Sequence, residues 1–234
     1  MLEDVNNFLS SDRLMHKTIL KKDNYKNENE CYPSKCLFLD RDGVIIRDCH
    51  YLSNPGKVEL MIGIRKLISN AIKLKWRIVL ITNQSGIYRG FFSWKEYELV
   101  TKKMIDLFVE SCPFDAIYAN ACGPNSGEES WRKPSPKMIY EAEKDLNIDL
   151  KKSIVVGDRL SDLYSGLNAG LKTLIHVKTG HGVEELESIL KKAENKPIDY
   201  SKDFYYLKSG NKKAKLFTIE DLTFFPYKIF NENL

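Results

Sequence analysis

The sequence predicts an α/β fold with a doubly wound parallel sheet, and three observations support this. Short apolar runs, typical of strands buried on both faces, recur along the chain, the first at Cys36–Leu39. Segments with the apolar period of amphipathic helices separate these runs, the first of them from Ile64. Polar residues follow several of the runs, and parallel strands bring such residues to one edge of a sheet. Because strand and helix alternate five times, we expect right-handed crossovers.

The predicted elements follow one another from residue 36 to residue 222. The predicted strands are Cys36–Leu39, Arg77–Ile81, Ala116–Ala121, Ile154–Val156 and Thr173–Ile175, with a last edge strand at Lys215–Leu222. Three of the predicted helices are 64–72, 161–169 with Ser161 as N-cap, and 184–193. A fourth begins at Ser93, where Glu96 completes a capping box. A fifth has Ser135 as N-cap and Pro136 at its first position.

Length and composition limit the class of protein. The chain has 234 residues, of which 43% are hydrophobic and 29% are charged, and these are globular values. The net charge is +4 and the basic residues are scattered, so we expect no nucleic-acid partner. No segment approaches the roughly 20 apolar residues of a membrane helix, so we expect no membrane contact. The five cysteines form no dense framework, which favours a reducing, cytoplasmic location.

Three aspartates follow predicted strands and should meet in one crevice. Asp40 and Asp42 follow the first strand, and Asp158 follows the fourth. Gly43 permits a sharp turn after Asp42, which lets Asp40 and Asp42 both face the crevice. Clustered carboxylates repel one another unless a cation lies among them, and an all-oxygen site suits Mg²⁺. The alternative is that these aspartates are solvated turn and cap residues.

Four motifs in order resemble those of the haloacid dehalogenase (HAD) superfamily. They are the runs FLDRDGV at 38–44 and ITNQSGI at 81–87, the run Arg132-Lys133-Pro134, and the segment from Val156 through Asp162. Within that superfamily, the runs DRDG, TNQSGIxRG and RKP are most similar to the branch of D,D-heptose 1,7-bisphosphate phosphatases and histidinol phosphatases. The resemblance covers residues 36–182.

The resemblance implies a Mg²⁺-dependent phosphatase that works through an aspartyl-phosphate intermediate. Asp40 would be the nucleophile and Asp42 the general acid and base. Lys133 would neutralise charge on the transferred group, and Thr82 would hold it through its hydroxyl. The expected metal ligands are Asp40, Asp158 and the carbonyl of Asp42, with Asp162 supporting them. The expected phosphoryl-binding residues after the second strand are Thr82, Asn83, Gln84 and Ser85.

The expected substrate is a small phosphorylated sugar. Arg132, beside Lys133, is expected to bind a second anion on the substrate. The loop that contacts the sugar in this family contains Asp48, Cys49, His50 and Tyr51. We expect D-glycero-D-manno-heptose 1,7-bisphosphate, cleaved at position 7. Histidinol phosphate, a polynucleotide 3′-phosphate and a non-catalytic HAD-like binding module remain alternatives.

The chain is expected to have three segments. Residues 1–35 would be a polar N-terminal extension, 36–182 the HAD-like phosphatase core, and 183–234 a helix and strand region packing on that core. The stretches 43–61 and 122–132 are too short for a separate cap, so we expect no large cap domain.

The sequence departs from the family pattern at three places. Family members with a structural zinc carry four Cys and His ligands in the loop before the Arg-Lys-Pro run. Here residues 121–131 contain Cys122 and no further Cys or His, so four ligands cannot be assembled. Arg159 follows Asp158 where lysine is usual, and Val44 stands where threonine is common.

Overall fold

The structure is a computed structural model that describes residues 14–20, 32–108, 111–125, 127, 130–194 and 204–230. It confirms the predicted α/β fold. The strands are β1 (Met15–Ile19), β2 (Cys36–Leu39), β3 (Arg77–Asn83), β4 (Ala116–Asn120), β5 (Ile154–Gly157), β6 (Thr173–Val177), β7 (Ala193–Glu194), β8 (Tyr205–Ser209) and β9 (Lys212–Ile219). The helices are α1 (Ile64–Lys73), α2 (Ser85–Tyr88), α3 (Trp94–Asp106), α4 (Lys137–Leu146), α5 (Leu160–Ala169) and α6 (Gly182–Lys192).

One sheet contains all nine of these strands, in the order β1-β4-β3-β2-β5-β6-β9-β8-β7. The six strands from β4 to β9 in that order run parallel, as predicted. Antiparallel strands flank them, with β1 on one side and β8 and β7 on the other. The sheet is therefore parallel where the polar strand ends converge and mixed at its margins.

Alternate residues of β2 belong to the two hydrophobic layers of the protein. Leu37 and Leu39 pack in a layer with α1 and α3, together with the aromatic residues near the end of the chain. Cys36 and Phe38 pack in the other layer, with α4, α5 and α6. Because β2 is buried on both faces, packing fixes its position. The residues that directly follow β2 therefore start from a fixed point at the edge of the sheet.

The N-terminal margin differs from the sequence expectation. Met15–Ile19, part of the expected polar extension, pair with Ala116–Asn120 as an antiparallel strand. Half-burial of this segment explains the difference, because its mixed composition suits a strand with one face covered. Val5, Phe8 and Leu9, which form a weak apolar cluster in the sequence of the extension, lie outside the described residues.

The C-terminal strand is also placed differently. The sequence predicts an edge strand at Lys215–Leu222, but β9 begins at Lys212 and pairs with β6 on one side. A hairpin turn around Gly210 then folds β8 onto its other side. The hairpin therefore moves the edge of the sheet outward to β7. The division of the chain into three segments stays a prediction.

Two helix N-caps differ from their predicted positions, one by one residue and the other by two. The amide groups of Ile139 and Tyr140 donate to the carbonyl of Pro136, so Pro136 occupies the N-cap position predicted for Ser135. At α5 the N-cap is Arg159, whose backbone N–H donates to the Asp162 carboxylate at 3.0 Å, and Ser161 lies inside the helix. An acidic residue at the third helical position thus decides where α5 begins.

Nothing in the described ranges forms a large cap. Between β2 and α1 the chain makes a 3₁₀ turn at Pro55–Lys57, and the described residues between β4 and α4 contain no helix or strand. Among the described helices, none combines the length and apolar character that crossing a membrane requires.

Candidate active site

A cavity of about 660 Å³ opens where the central parallel strands end. Its walls come from the segments after β2, β3 and β5, from the loop before α4 and from the start of α6. The lining residues that sequence reasoning had placed in the site are Asp40, Asp42, Asp48, His50, Tyr51, Asn83, Gln84, Ser85, Arg132, Lys133 and Asp162. Residues far apart in the sequence thus meet at one edge of the sheet, as a doubly wound fold requires.

The floor of the cavity, defined as Asp40, Lys133 and Asp162 together with the adjoining Asp158, which does not itself line the cavity, is almost fully buried. The Nζ of Lys133 lies 2.7 Å from Oδ1 of Asp40 and 2.6 Å from Oδ1 of Asp162. It also donates to the carbonyl of Ile81 at 3.0 Å. One ammonium group thus bridges the end of β2 to the start of α5.

Asp158 brings a third carboxylate to the floor. One oxygen atom from each of Asp40, Asp158 and Asp162 lies within 4.8 Å of the other two. Oδ2 of Asp158 accepts from the backbone of His181 at 2.8 Å, while Oδ1 is buried without a hydrogen-bond partner. A buried carboxylate oxygen without a partner is costly, and a hard cation would satisfy it. The donor set therefore fits Mg²⁺.

The charges of the floor shift the pKa values of its members. Burial raises the pKa of Asp40 to about 7, with Lys133 opposing the rise and Asp162 and Asp42 adding to it. Burial and the neighbouring Asp162 and Asp40 carboxylates raise the pKa of Asp158 to about 9. For Lys133, burial acts to lower the pKa, but the two carboxylates raise it above its ordinary value. One lysine thus does not compensate three acids, and the floor favours an additional cation.

Asp42 is held at the wall of the cavity by a network of polar side chains. Arg41 Nε donates to Asp42 Oδ2 at 3.2 Å, and Gln84 Nε2 donates to the same oxygen at 3.0 Å. Gln84 also accepts from Arg41 at 2.9 Å and donates to Thr82 Oγ1 at 2.7 Å. The Arg41 guanidinium lies over the ring of Tyr97. This network fixes the carboxylate that was predicted as the general acid.

Two predicted phosphoryl-binding residues are engaged within the protein. Thr82 is fully buried, and its hydroxyl accepts from Gln84. The Asn83 side chain accepts from the backbone N–H of Lys133 at 3.0 Å and donates to the Lys133 carbonyl at 3.2 Å. Asn83 therefore ties the loop that carries Lys133 to the end of β3.

The rim of the cavity, defined as Arg89, Arg132, Arg159, Asp48, His50 and His181, consists of loop residues. Arg132 is half-buried and donates to the carbonyl of Cys122 at 3.2 Å. Burial lowers the pKa of Arg132, and so do the nearby charges of Arg89 and Arg159. Three guanidinium groups that repel one another across a cavity form a site for an anion.

The other half of the rim joins two loops. Asp48 and His50 lie on the loop after β2, and His181 lies at the start of α6. Nε2 of His181 is 2.9 Å from the Asp48 carboxylate, and the rings of His50 and His181 stack with centroids 5.6 Å apart. Cys49, by contrast, is exposed and does not line the cavity.

Sequence reasoning missed several cavity residues. Arg41 lies between the two aspartates of the first motif, and its position there was the available signal. His181 lacks a motif, because its contact with Asp48 depends on how two distant loops meet. The remaining lining residues without a predicted site role include Leu160, Tyr164 and Glu185.

Comparison with known proteins identifies the relatives of this chain. A HAD-hydrolase-like family model matches residues 130–205. The D-glycero-alpha-D-manno-heptose-1,7-bisphosphate 7-phosphatase of Photorhabdus laumondii is 38% identical over 165 residues, which are 64% of this chain and 86% of that protein. The D-glycero-beta-D-manno-heptose-1,7-bisphosphate 7-phosphatase of Helicobacter pylori is 39% identical over 141 residues, which are 59% of this chain and 81% of that protein.

A solved structure shows the same architecture. The D,D-heptose 1,7-bisphosphate phosphatase of B. bronchiseptica, in complex with magnesium and phosphate, superposes with a TM-score of 0.64 at 28% identity. The match covers 80% of this chain and 93% of that one. From its motifs, its fold and these relatives, we conclude that the chain belongs to the HAD-like hydrolase family and is one of its phosphatases.

Proposed function

We propose that the protein is a Mg²⁺-dependent phosphatase that removes the 7-phosphate of D-glycero-D-manno-heptose 1,7-bisphosphate. The observation that carries this proposal is the arrangement of the cavity. Its buried floor holds Lys133 between Asp40 and Asp162, and its rim places three arginines beside that floor. Such a cavity suits a small substrate with one phosphate to lose and another to hold. The heptose bisphosphate phosphatases among the relatives act on a substrate of this kind.

In the first half-reaction, Asp40 attacks phosphorus through a carboxylate oxygen. A bond forms between that oxygen and phosphorus while the bond from phosphorus to the sugar oxygen breaks, and Asp42 gives its proton to the departing oxygen. In the second, Asp42 takes a proton from a water molecule whose oxygen bonds to phosphorus, the bond between Asp40 and phosphorus breaks, and inorganic phosphate leaves with Asp40 as a free carboxylate. Lys133, 2.7 Å from Asp40, offsets the negative charge on the transferred group.

Asp40, Asp158 and the Asp42 carbonyl would hold Mg²⁺, with Asp162 at its side. When bound, Mg²⁺ supplies positive charge next to the phosphoryl oxygens. It would also keep Asp40 ionised, and a nucleophilic carboxylate needs to be ionised although burial raises its pKa to about 7. Thr82 and Asn83 act in this scheme as positioning residues, because their side chains hold Gln84 and Lys133.

The rim would select the substrate. Arg132 would bind the phosphate that stays, with Arg89 and Arg159 adding positive charge around it. Gln84 and Ser85 would face the transferred group, while Asp48, His50 and Tyr51 would contact the sugar. A role for Cys49 in substrate binding stays a prediction. The cytoplasmic location also stays a prediction, in keeping with the free thiols of Cys36, Cys49 and Cys122.

Direct competition between substrates tests the proposal. The enzyme with Mg²⁺ receives an equimolar mixture of heptose 1,7-bisphosphate, histidinol phosphate and a 3′-phosphorylated oligonucleotide, and ³¹P NMR follows each phosphate. We expect the 7-phosphate of the heptose to be lost first, with the 1-phosphate retained. A clear preference for histidinol phosphate or for the oligonucleotide would replace the proposed substrate. No turnover of any phosphoester would favour a binding module.

A further inference from the structure

Asp48, His50 and His181 form a cluster on the rim, and the proposed reaction needs no joint action of these three residues. One donor atom each from Asp48, His50 and His181 lies within 4.8 Å of the other two. Asp48 Oδ2 is 2.9 Å from His181 Nε2, and Asp48 Oδ1 is 3.8 Å from His50 Nδ1. Two imidazoles and one carboxylate thus converge above the floor.

His181 has a carboxylate at each of its ring nitrogens. Nε2 faces Asp48 at 2.9 Å, and Nδ1 faces Glu184 at 3.2 Å. A protonated imidazole donates to both carboxylates, whereas a neutral imidazole has one N–H, so in the neutral form one of these contacts places two lone pairs against each other. A metal ion between Nε2 and Asp48 removes that conflict and lets Nδ1–H donate to Glu184. This carboxylate–histidine–metal arrangement is a common support for zinc ligands.

We propose that Asp48, His50 and His181 bind a zinc-type transition metal ion at the entrance of the cavity. With metal–ligand distances near 2.0–2.1 Å, donors in a tetrahedral site lie roughly 3.3 Å apart. Asp48 and His181 are already close to this separation. The His50 side chain, which is 80% exposed, can move the remaining distance without disturbing the core.

This site differs from the carboxylate floor in its chemistry. The floor offers oxygen ligands only, which suit Mg²⁺, whereas imidazole nitrogens favour zinc, cobalt or nickel. Three protein ligands leave one coordination position open. Because all three residues line the cavity, an ion held there would join the two loops and narrow the entrance. The proposal therefore also implies that Zn²⁺ slows substrate entry, but metal binding itself does not depend on the proposed function.

Isothermal titration tests the site directly. The full chain is freed of metal with a chelator, saturated with Mg²⁺ and titrated with ZnCl₂. We expect one Zn²⁺ per chain, with binding lost in His50→Ala and in His181→Ala. Glu184→Gln should weaken it about tenfold, because that carboxylate supports a ligand rather than being one. Co²⁺ should give visible absorption of the intensity typical of four or five ligands, and both histidine variants should lose it.

Two variants serve as matched controls. Cys49→Ala removes the thiol next to His50, and Asp40→Asn changes the floor at a residue away from all three ligands; both should retain the Zn²⁺ stoichiometry. His50→Ala alters an exposed loop side chain outside the hydrophobic core, so it tests the site even if His181→Ala disturbs α6. Zn²⁺ binding that persists in both histidine variants would overturn the proposal. So would binding that disappears in Cys49→Ala or in Asp40→Asn while the histidine variants keep it.

Discussion

The floor and the rim of the cavity are built in different ways. The floor side chains follow the ends of β2 and β5 or lie against them, and their residues are 1–7% exposed. The rim side chains extend from loops, and His50 is among the most exposed of them. Packing on both faces of the sheet fixes the floor, whereas contacts between loops hold most of the rim. We therefore expect the floor to determine the rate of the chemical step and the rim to determine which substrate is bound.

Replacing the nucleophile should give the largest effect. Asp40→Asn cannot attack phosphorus, so kcat should fall by at least about 10⁴-fold. Rapid-quench measurement with ³²P-labelled substrate should show no acid-stable phosphoenzyme. Folding should survive, since the amide keeps the shape of the side chain. Turnover near the wild-type rate would show that the floor does not work by covalent catalysis.

Removing the floor lysine should be the next most severe change. Lys133→Met deletes the ammonium that bridges Asp40 and Asp162, so kcat should fall by about 10²–10³-fold on mono- and bisphosphates alike. The free energy of unfolding should also fall, by about 3 kcal/mol, because two buried carboxylates lose their partner. Steady-state kinetics and urea unfolding measure the two effects. A change in KM alone would place Lys133 with the rim residues.

A rim substitution should change affinity rather than rate. Arg132→Ala should raise KM for the bisphosphate by about tenfold and alter KM for a sugar monophosphate less, because only the bisphosphate keeps a phosphate for Arg132 to hold. Arg47→Ala is the matched control, since Arg47 is exposed and pairs with Glu59 outside the cavity. Equal losses on both substrates would contradict the assignment of Arg132 to the retained phosphate.

Metal binding at the floor should appear as a thermal shift. Mg²⁺ at about 100 times its Kd stabilises by about 2.7 kcal/mol, which for a chain of this size raises Tm by roughly 5–10 °C. Asp158→Asn should abolish this shift, because the carboxylate that it removes is the one with a buried oxygen that lacks a hydrogen-bond partner. Differential scanning fluorimetry with and without a chelator measures it. An unchanged shift in the variant would place Mg²⁺ elsewhere.

The sequence predicts the floor better than the rim. Asp40 and Asp158 directly follow short apolar runs, so the periodicity of the chain was enough to bring them together. Lys133 lies in a loop, and the family resemblance was needed to place it there. The pairing of Asp48 with His181 was beyond reach, because it depends on the relative position of two loops that no local pattern encodes.

The strands at the margins of the sheet are also hard to predict from local sequence patterns. The segment Met15–Ile19 has too few apolar residues to be predicted as a strand, yet β4 supplies backbone partners for it. The Asp42 network was equally hidden, since Gln84 contacts Asp42 only after the turn beyond β3 has formed. Strands buried on both faces are thus encoded locally, while edge strands and polar networks need the partner that tertiary structure provides.

The antiparallel strand β1 also has a consequence for association between molecules. Its residues occupy the backbone groups of β4 that would otherwise face outward, and the amide of Ala121 extends the ladder by donating to Leu14. An unpaired strand edge is a template for strands of other chains. A chain shortened to begin after β1 would leave β4 open along Ala116–Asn120, so its copies could pair edge to edge and aggregate. The N-terminal strand therefore shields the sheet against self-association, although it contributes no side chain to the cavity.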